Sequence, residues 1–129
     1  MERVSGIGGI FFKAKDPNAM YAWYEKHLGM KQVPEAQSVD FVSKDSASGE
    51  EAHTYWSLFK QDTKYMEPST SAFMINYRVS DMDALVKHLE SEGIQILGRE
   101  DVDYGRFAWI MDPEGNKIEL FEPPKGSRK

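Results

Sequence analysis

The chain has 129 residues, of which 40% are hydrophobic and 29% charged, with a formal net charge of −5 and no cysteine. That length supports one domain with a real core, and the composition is that of a soluble globule rather than a disordered or fibrous chain. The acidic balance argues against nucleic acid and anionic membranes as partners, no apolar run approaches the ~20 residues of a membrane helix, and the missing cysteines exclude disulfides, thiolate nucleophiles and Cys metal sites.

The opening "MERVSGIGG" holds no apolar signal-peptide core, so the expected compartment is the cytoplasm. A strand follows over 9–14, read from alternating faces. Asp16 is placed to cap a helix and Pro17 suits its first position. Met20, Trp23, Tyr24 and Leu28 fall on one helical face, which predicts that they are core, and Gly29 suits the left-handed stop. Strands are then predicted at about 31–34, 38–43 and 53–59, with "KDSASGEEA" as an exposed loop.

The second half repeats the first. At one constant offset Ile10 matches Ile75, Phe12 matches Tyr77, Asp16 matches Asp81 and Met20 matches Leu85. The repeat predicts a strand at 74–79 and a helix capped by Asp81, with Met82, Leu85, Val86 and Leu89 inward and Gly93 at its stop. Strands at 94–98, 106–111 and 117–121 complete it, the last two joined by the tight turn "DPEGN". The fold class is α+β: two βαβββ modules, about 3–60 and 71–123, forming a curved mixed sheet with helices on its convex face. Residues 61–70 connect the modules, and a flexible tail covers 124–129, all within a single domain spanning 1–129.

This order, with "KDPNAMYAWYEKHLGM" early and "DPEGNKIELFEP" late, resembles the vicinal oxygen chelate superfamily, in particular its small glyoxalase-like members. The superfamily includes glyoxalase I, extradiol dioxygenases, and bleomycin- and fosfomycin-resistance proteins. The resemblance implies a half-barrel whose concave face holds a small-molecule site, often with a divalent metal, and a homodimer. By position in the motif the metal ligands fall on Gly9, about Ser57, Met74 and Glu119, and only Glu119 is a good ligand. The expected cofactor is therefore none. The alternative is a divalent metal on Glu119 with His53.

Strand parity supplies the other concave residues. Met74, Asn76 and Arg78 face inward from 74–79, with Glu119 and Phe121 from the last strand, Phe11 from the first, and Tyr55 and Phe59 from the fourth. Trp56 and Trp109 add aromatic surface, and Tyr104 and Arg106 border the cavity. The sequence predicts that Arg78 and Glu119 either neutralise each other or serve catalysis, Arg78 holding an anionic group and Glu119 accepting a proton. Three functions follow: metal-independent catalysis or ligand binding in this pocket; a metal-dependent lyase, isomerase or dioxygenase; or an antibiotic-sequestering protein. In each the partner is a small molecule.

Overall fold

The computed structural model describes residues 4–34 and 37–124. Strand β1 runs Val4–Ala14, helix α1 Pro17–Leu28, β2 Gln32–Val33, β3 Ser38–Lys44 and β4 Glu51–Lys60. The second module holds β5 Phe73–Val79, α2 Met82–Ser91, β6 Gly98–Val102, β7 Gly105–Met111 and β8 Lys117–Glu122. The expected βαβββ repeat is present twice. The strand expected at 94–98 lies later, at β6, and β2 is only two residues long. The tail beyond residue 124 lies outside the described residues.

All eight strands form one curved mixed sheet in the order β2-β3-β4-β1-β5-β8-β7-β6, which does not close into a barrel. The modules meet within the chain through β1 and β5, which run antiparallel, while β1–β4 and β5–β8 are parallel. Each helix therefore crosses its own half of the sheet on the convex side. Asp16 and Asp81 cap the helices, accepting from Ala19 N and Ala84 N at 3.1 Å. Gly29 stops α1 in the left-handed conformation at φ 68°. No helix among the described residues is long and apolar enough to cross a membrane.

The core divides by module. Under α2, Val79, Met82, Leu85, Val86, Ala108 and Leu120 are buried together, with Leu89 packed against them. Under α1 the cluster is smaller and aromatic: Tyr21, Val39 and Trp56, joined by Tyr24. Here the helical-face expectation fails. Met20, Trp23 and Leu28 are 38%, 52% and 59% exposed, and Tyr21 is the buried contact. Its phenol oxygen accepts the N–H of Leu58 at 2.7 Å, and its ring meets Trp56 edge-on. Two bulky aromatics per turn, Tyr21 and Tyr24, fill the space over Trp56, so the rest of the apolar stripe turns outward.

Candidate functional site

The concave face carries two adjoining cavities of about 460 and 300 Å³. They share Gly8, Tyr55, Tyr104 and Phe121 as common walls, so they are two lobes of one concavity. Arg78, Asp45, His53 and Asp103 border the larger lobe. Asn76, Glu119, Phe11 and Ser57 border the smaller.

Strand parity placed Arg78 and Glu119 on the concave face, and both side chains are there. The expected pairing between them does not form. Arg78 Nε donates to Asp45 Oδ1 at 2.8 Å, and its Nη1 donates to the carbonyls of His53 and Ile7 at 3.1 and 3.3 Å. Asp45 comes from the segment expected to be an exposed loop, yet it is 2% exposed. It also accepts from Ser5 Oγ at 2.5 Å and from Ser48 N at 3.0 Å. Burial pushes its carboxyl upward. The bonds from Ser5, Arg78 and Ser48 outweigh this and hold it well below the usual carboxylate range.

Glu119 is 3% exposed, and its hydrogen-bond donors among the described residues are all neutral. Asn76 Nδ2 donates to Oε1 at 2.6 Å, Trp109 Nε1 donates to Oε2 at 2.9 Å, and the Tyr65 hydroxyl donates to Oε2. Tyr65 belongs to the connection between modules, which gave the sequence reading no reason to single it out. Burial and the bond to Glu119 both push its phenol above the ordinary tyrosine range. Lys117 closes this end, its Nζ on the Tyr65 carbonyl at 2.8 Å and 5.5 and 5.7 Å from the Tyr65 and Trp109 ring centroids.

The first strand makes room for this polar floor. A Cβ on Gly6 would lie 2.1 Å from Arg78 Nη2, and one on Gly8 would lie 2.4 Å from Asn76 Oδ1. Gly8 is the extra residue of an irregularity between Ile7↔Tyr77 and Gly9↔Asn76. The glycine run in "SGIGG" was the available signal for this close approach.

The remaining expected residues divide. Tyr55, Tyr104, Phe121 and Phe11 wall the cavity. Phe59 stands one ring behind, stacked on Tyr65 and tilted against Phe11. Trp109 touches the site through Glu119. Met74 is fully buried beneath it. Two expectations are corrected. Trp56 packs under α1, because its place on β4 has the opposite parity to Tyr55. Arg106 turns to the helix side, where it binds Asp83 at the start of α2 and Asp101 on β6.

The site does not fit a four-ligand metal. Gly9 offers no side chain, Met74 is buried, and both Glu119 oxygens already accept hydrogen bonds. Nδ1 of His53 lies 2.8 Å from both Asp40 oxygens, and its Nε2 lies 3.4 Å from Glu51. Among the described residues, no group of three or more His, Asp or Glu could hold a metal ion.

The chain belongs to the glyoxalase/bleomycin resistance protein/dioxygenase superfamily, whose family model matches residues 6–120. The fold is similar to methylmalonyl-CoA epimerase from Mycobacterium tuberculosis, with 23% identity over 96% of this chain and 91% of that one, TM-score 0.60. It is also similar to a Streptomyces coelicolor methylmalonyl-CoA epimerase variant in complex with 2-nitronate-propionyl-CoA, at 18% identity, 95% and 96% coverage and TM-score 0.66. A superfamily member from Vibrio splendidus 12B01 is 14% identical over 90% of this chain and 97% of that one, TM-score 0.58. No curated protein sequence matches.

Proposed function

We propose that this member of the superfamily binds a small, flat organic molecule in the two-lobed concavity and does so without a resident divalent metal. The observation that carries this reading is the state of Glu119. At the one position where the family pattern retains a ligand, three neutral donors hold the carboxylate. A carboxylate fixed by fully formed hydrogen bonds is a structural floor. With three of its roughly four acceptor sites engaged, it is a weaker metal ligand and a weaker free base than an unengaged carboxylate.

The walls support the binding half. Tyr55, Tyr104 and Phe121 give aromatic faces to both lobes, with Asn76, Arg78 and Glu119 in the floor and Glu51 and Asp103 at the rim. Sequestration is the form of this reading in which capture alone is the function. An epimerase activity like that named for the Mycobacterium and Streptomyces neighbours would require a base free to reach a substrate carbon. Glu119 is held away from that task.

Two measurements test the reading together. Elemental analysis of protein purified without added metal should give far less than one equivalent of any transition metal. Titration with flat aromatic fragments should shift the NMR signals of Tyr55, Tyr104 and Phe121. A stoichiometric metal, or fragments that move only residues outside the concavity, would refute it.

A further inference from the structure

We infer that the occupant of this cavity presents hydrogen-bond donors and is neutral or cationic, with no carboxylate or phosphate as its recognition group. The inference rests on the binding reading above and adds the chemical class of the ligand.

Three observations converge. Asn76 Oδ1 is buried and has no hydrogen-bond partner among the described residues. Its orientation is fixed, because Nδ2 must donate to Glu119, a carboxylate that can only accept. The oxygen therefore stays an acceptor, beside the gap left by Gly8 and close to the Phe121 ring, at the seam of the two lobes. A buried amide oxygen without a donor carries an uncompensated desolvation penalty, which a donor from a bound molecule would relieve.

The second observation is the missing cation. Arg78 is the one permanently charged basic residue among the described residues lining either lobe. Its charge is spent on Asp45, and its Nη1 on two backbone carbonyls. An anionic ligand would find no uncompensated positive charge. Third, Glu51 and Asp103 stand exposed at the rim of the larger lobe, and Glu119 lies in the floor of the smaller one. The lining thus carries four carboxylates against one guanidinium. Tyr55 and Tyr104 add aromatic faces that favour a flat cation over a flat anion.

Three probes of one shape separate the possibilities: benzamidine (a flat cationic donor), benzamide (a neutral donor and acceptor) and benzoate (a flat anion that only accepts). Affinities would be measured by NMR titration of the full chain at fixed ionic strength, up to about 10 mM, the range expected of fragments this small. The expected order is benzamidine, then benzamide, with benzoate at least about tenfold weaker than benzamidine. Asn76→Leu should weaken benzamidine and benzamide alike. Because it also leaves Glu119 short of a donor and can unsettle the fold, Asp103→Asn serves as the second variant. Its position is exposed, and the change should weaken benzamidine severalfold while leaving benzamide unchanged. If all three probes bind alike, or benzoate binds best, the cavity reading stands and this inference falls. Should Asp103→Asn leave the benzamidine preference intact, the inference also falls. Binding by none of the three would remove the cavity reading itself and the inference with it.

Discussion

The guanidinium of Arg78 on β5 is bound by Asp45, which stands in the loop after β3, at an Nε–Oδ1 distance of 2.8 Å. Both side chains are buried. The pair ties that loop to the central strands β1 and β5, since Ser5 on β1 donates to the same oxygen. Breaking it from one side leaves an uncompensated buried charge. Asp45→Ala and Arg78→Ala should therefore each cost about 3–5 kcal/mol in urea denaturation. The double variant Asp45→Leu/Arg78→Met should cost clearly less than the sum of the singles. Losses within ~1 kcal/mol for each single change would mean that the pair is solvated in solution.

The same pair sets an acid dependence. The folded-state value of Asp45 is depressed, so its contribution is fully present above the unfolded aspartate value and fades as pH falls through the folded one. Wild-type protein should lose stability steadily below about pH 4 through this group. In Asp45→Asn the slope of stability against pH should be shallower in that window. Parallel slopes in the two proteins would show that other carboxylates govern acid unfolding.

Glu119 gives a prediction about metal. If its oxygens are committed to Asn76, Trp109 and Tyr65, a chelator has nothing to remove. The melting temperature should be the same with and without EDTA, and millimolar Mg, Mn, Zn or Ni should leave it unchanged, since a ligand stabilises only by binding the native state. Glu119→Ala strands the Trp109 indole N–H, the Asn76 amide and the Tyr65 hydroxyl, and should cost about 3 kcal/mol or more, at ~1–3 kcal/mol for each buried donor left unsatisfied. A melting temperature that drops with EDTA, recovers with one divalent ion and no longer responds in Glu119→Gln would overturn this.

The repeat, the helix caps and the parity of β5 and β8 were legible because each depends on local geometry. Period-2 alternation puts Asn76, Arg78 and Glu119 on one face whatever they contact. Contacts that cross the fold were not legible. Asp45 looks like any acid in a polar loop until the β3–β4 connection folds back over β1, and Tyr65 looks like linker until the connection between modules reaches β8. Charge arithmetic on two strands suggested that Arg78 and Glu119 would pair, but partners from loops satisfied each of them first. On α1 the apolar spacing was real, yet Tyr21 and Tyr24 fill the available contact area over Trp56.

Tyr65 should shape stability at high pH. Its folded-state value is raised by burial and by the bond to Glu119, so its contribution is intact below the unfolded tyrosine value of 10.0 and is lost as pH rises beyond it. Tyr55 is shifted the same way, so the informative quantity is a difference between proteins. Wild type should lose more stability between pH 9 and 11 than Tyr65→Phe, with denaturant midpoints as the readout. Identical losses would show that the Tyr65 hydroxyl is free of Glu119 in solution.

The first strand offers the sharpest test of the site's geometry. At Gly6 an added methyl would sit 2.1 Å from Arg78 Nη2, far inside contact distance. The guanidinium has little room to yield, since Nε is held by Asp45 and Nη1 by two carbonyls. Gly6→Ala should therefore displace Arg78 and carry much of the ~3–5 kcal/mol cost of breaking the buried pair. Gly98 on β6 is the matched control. Its added methyl would meet only the Trp109 ring at 3.6 Å, an ordinary van der Waals contact. Removing glycine's freedom in the unfolded chain should make Gly98→Ala neutral or stabilising by up to ~1 kcal/mol. If the Asp45→Asn change is already present, Gly6→Ala should add much less, because the pair it disrupts is gone. Equal effects of Gly6→Ala in both backgrounds would mean that the glycine serves the backbone of β1 rather than the guanidinium above it.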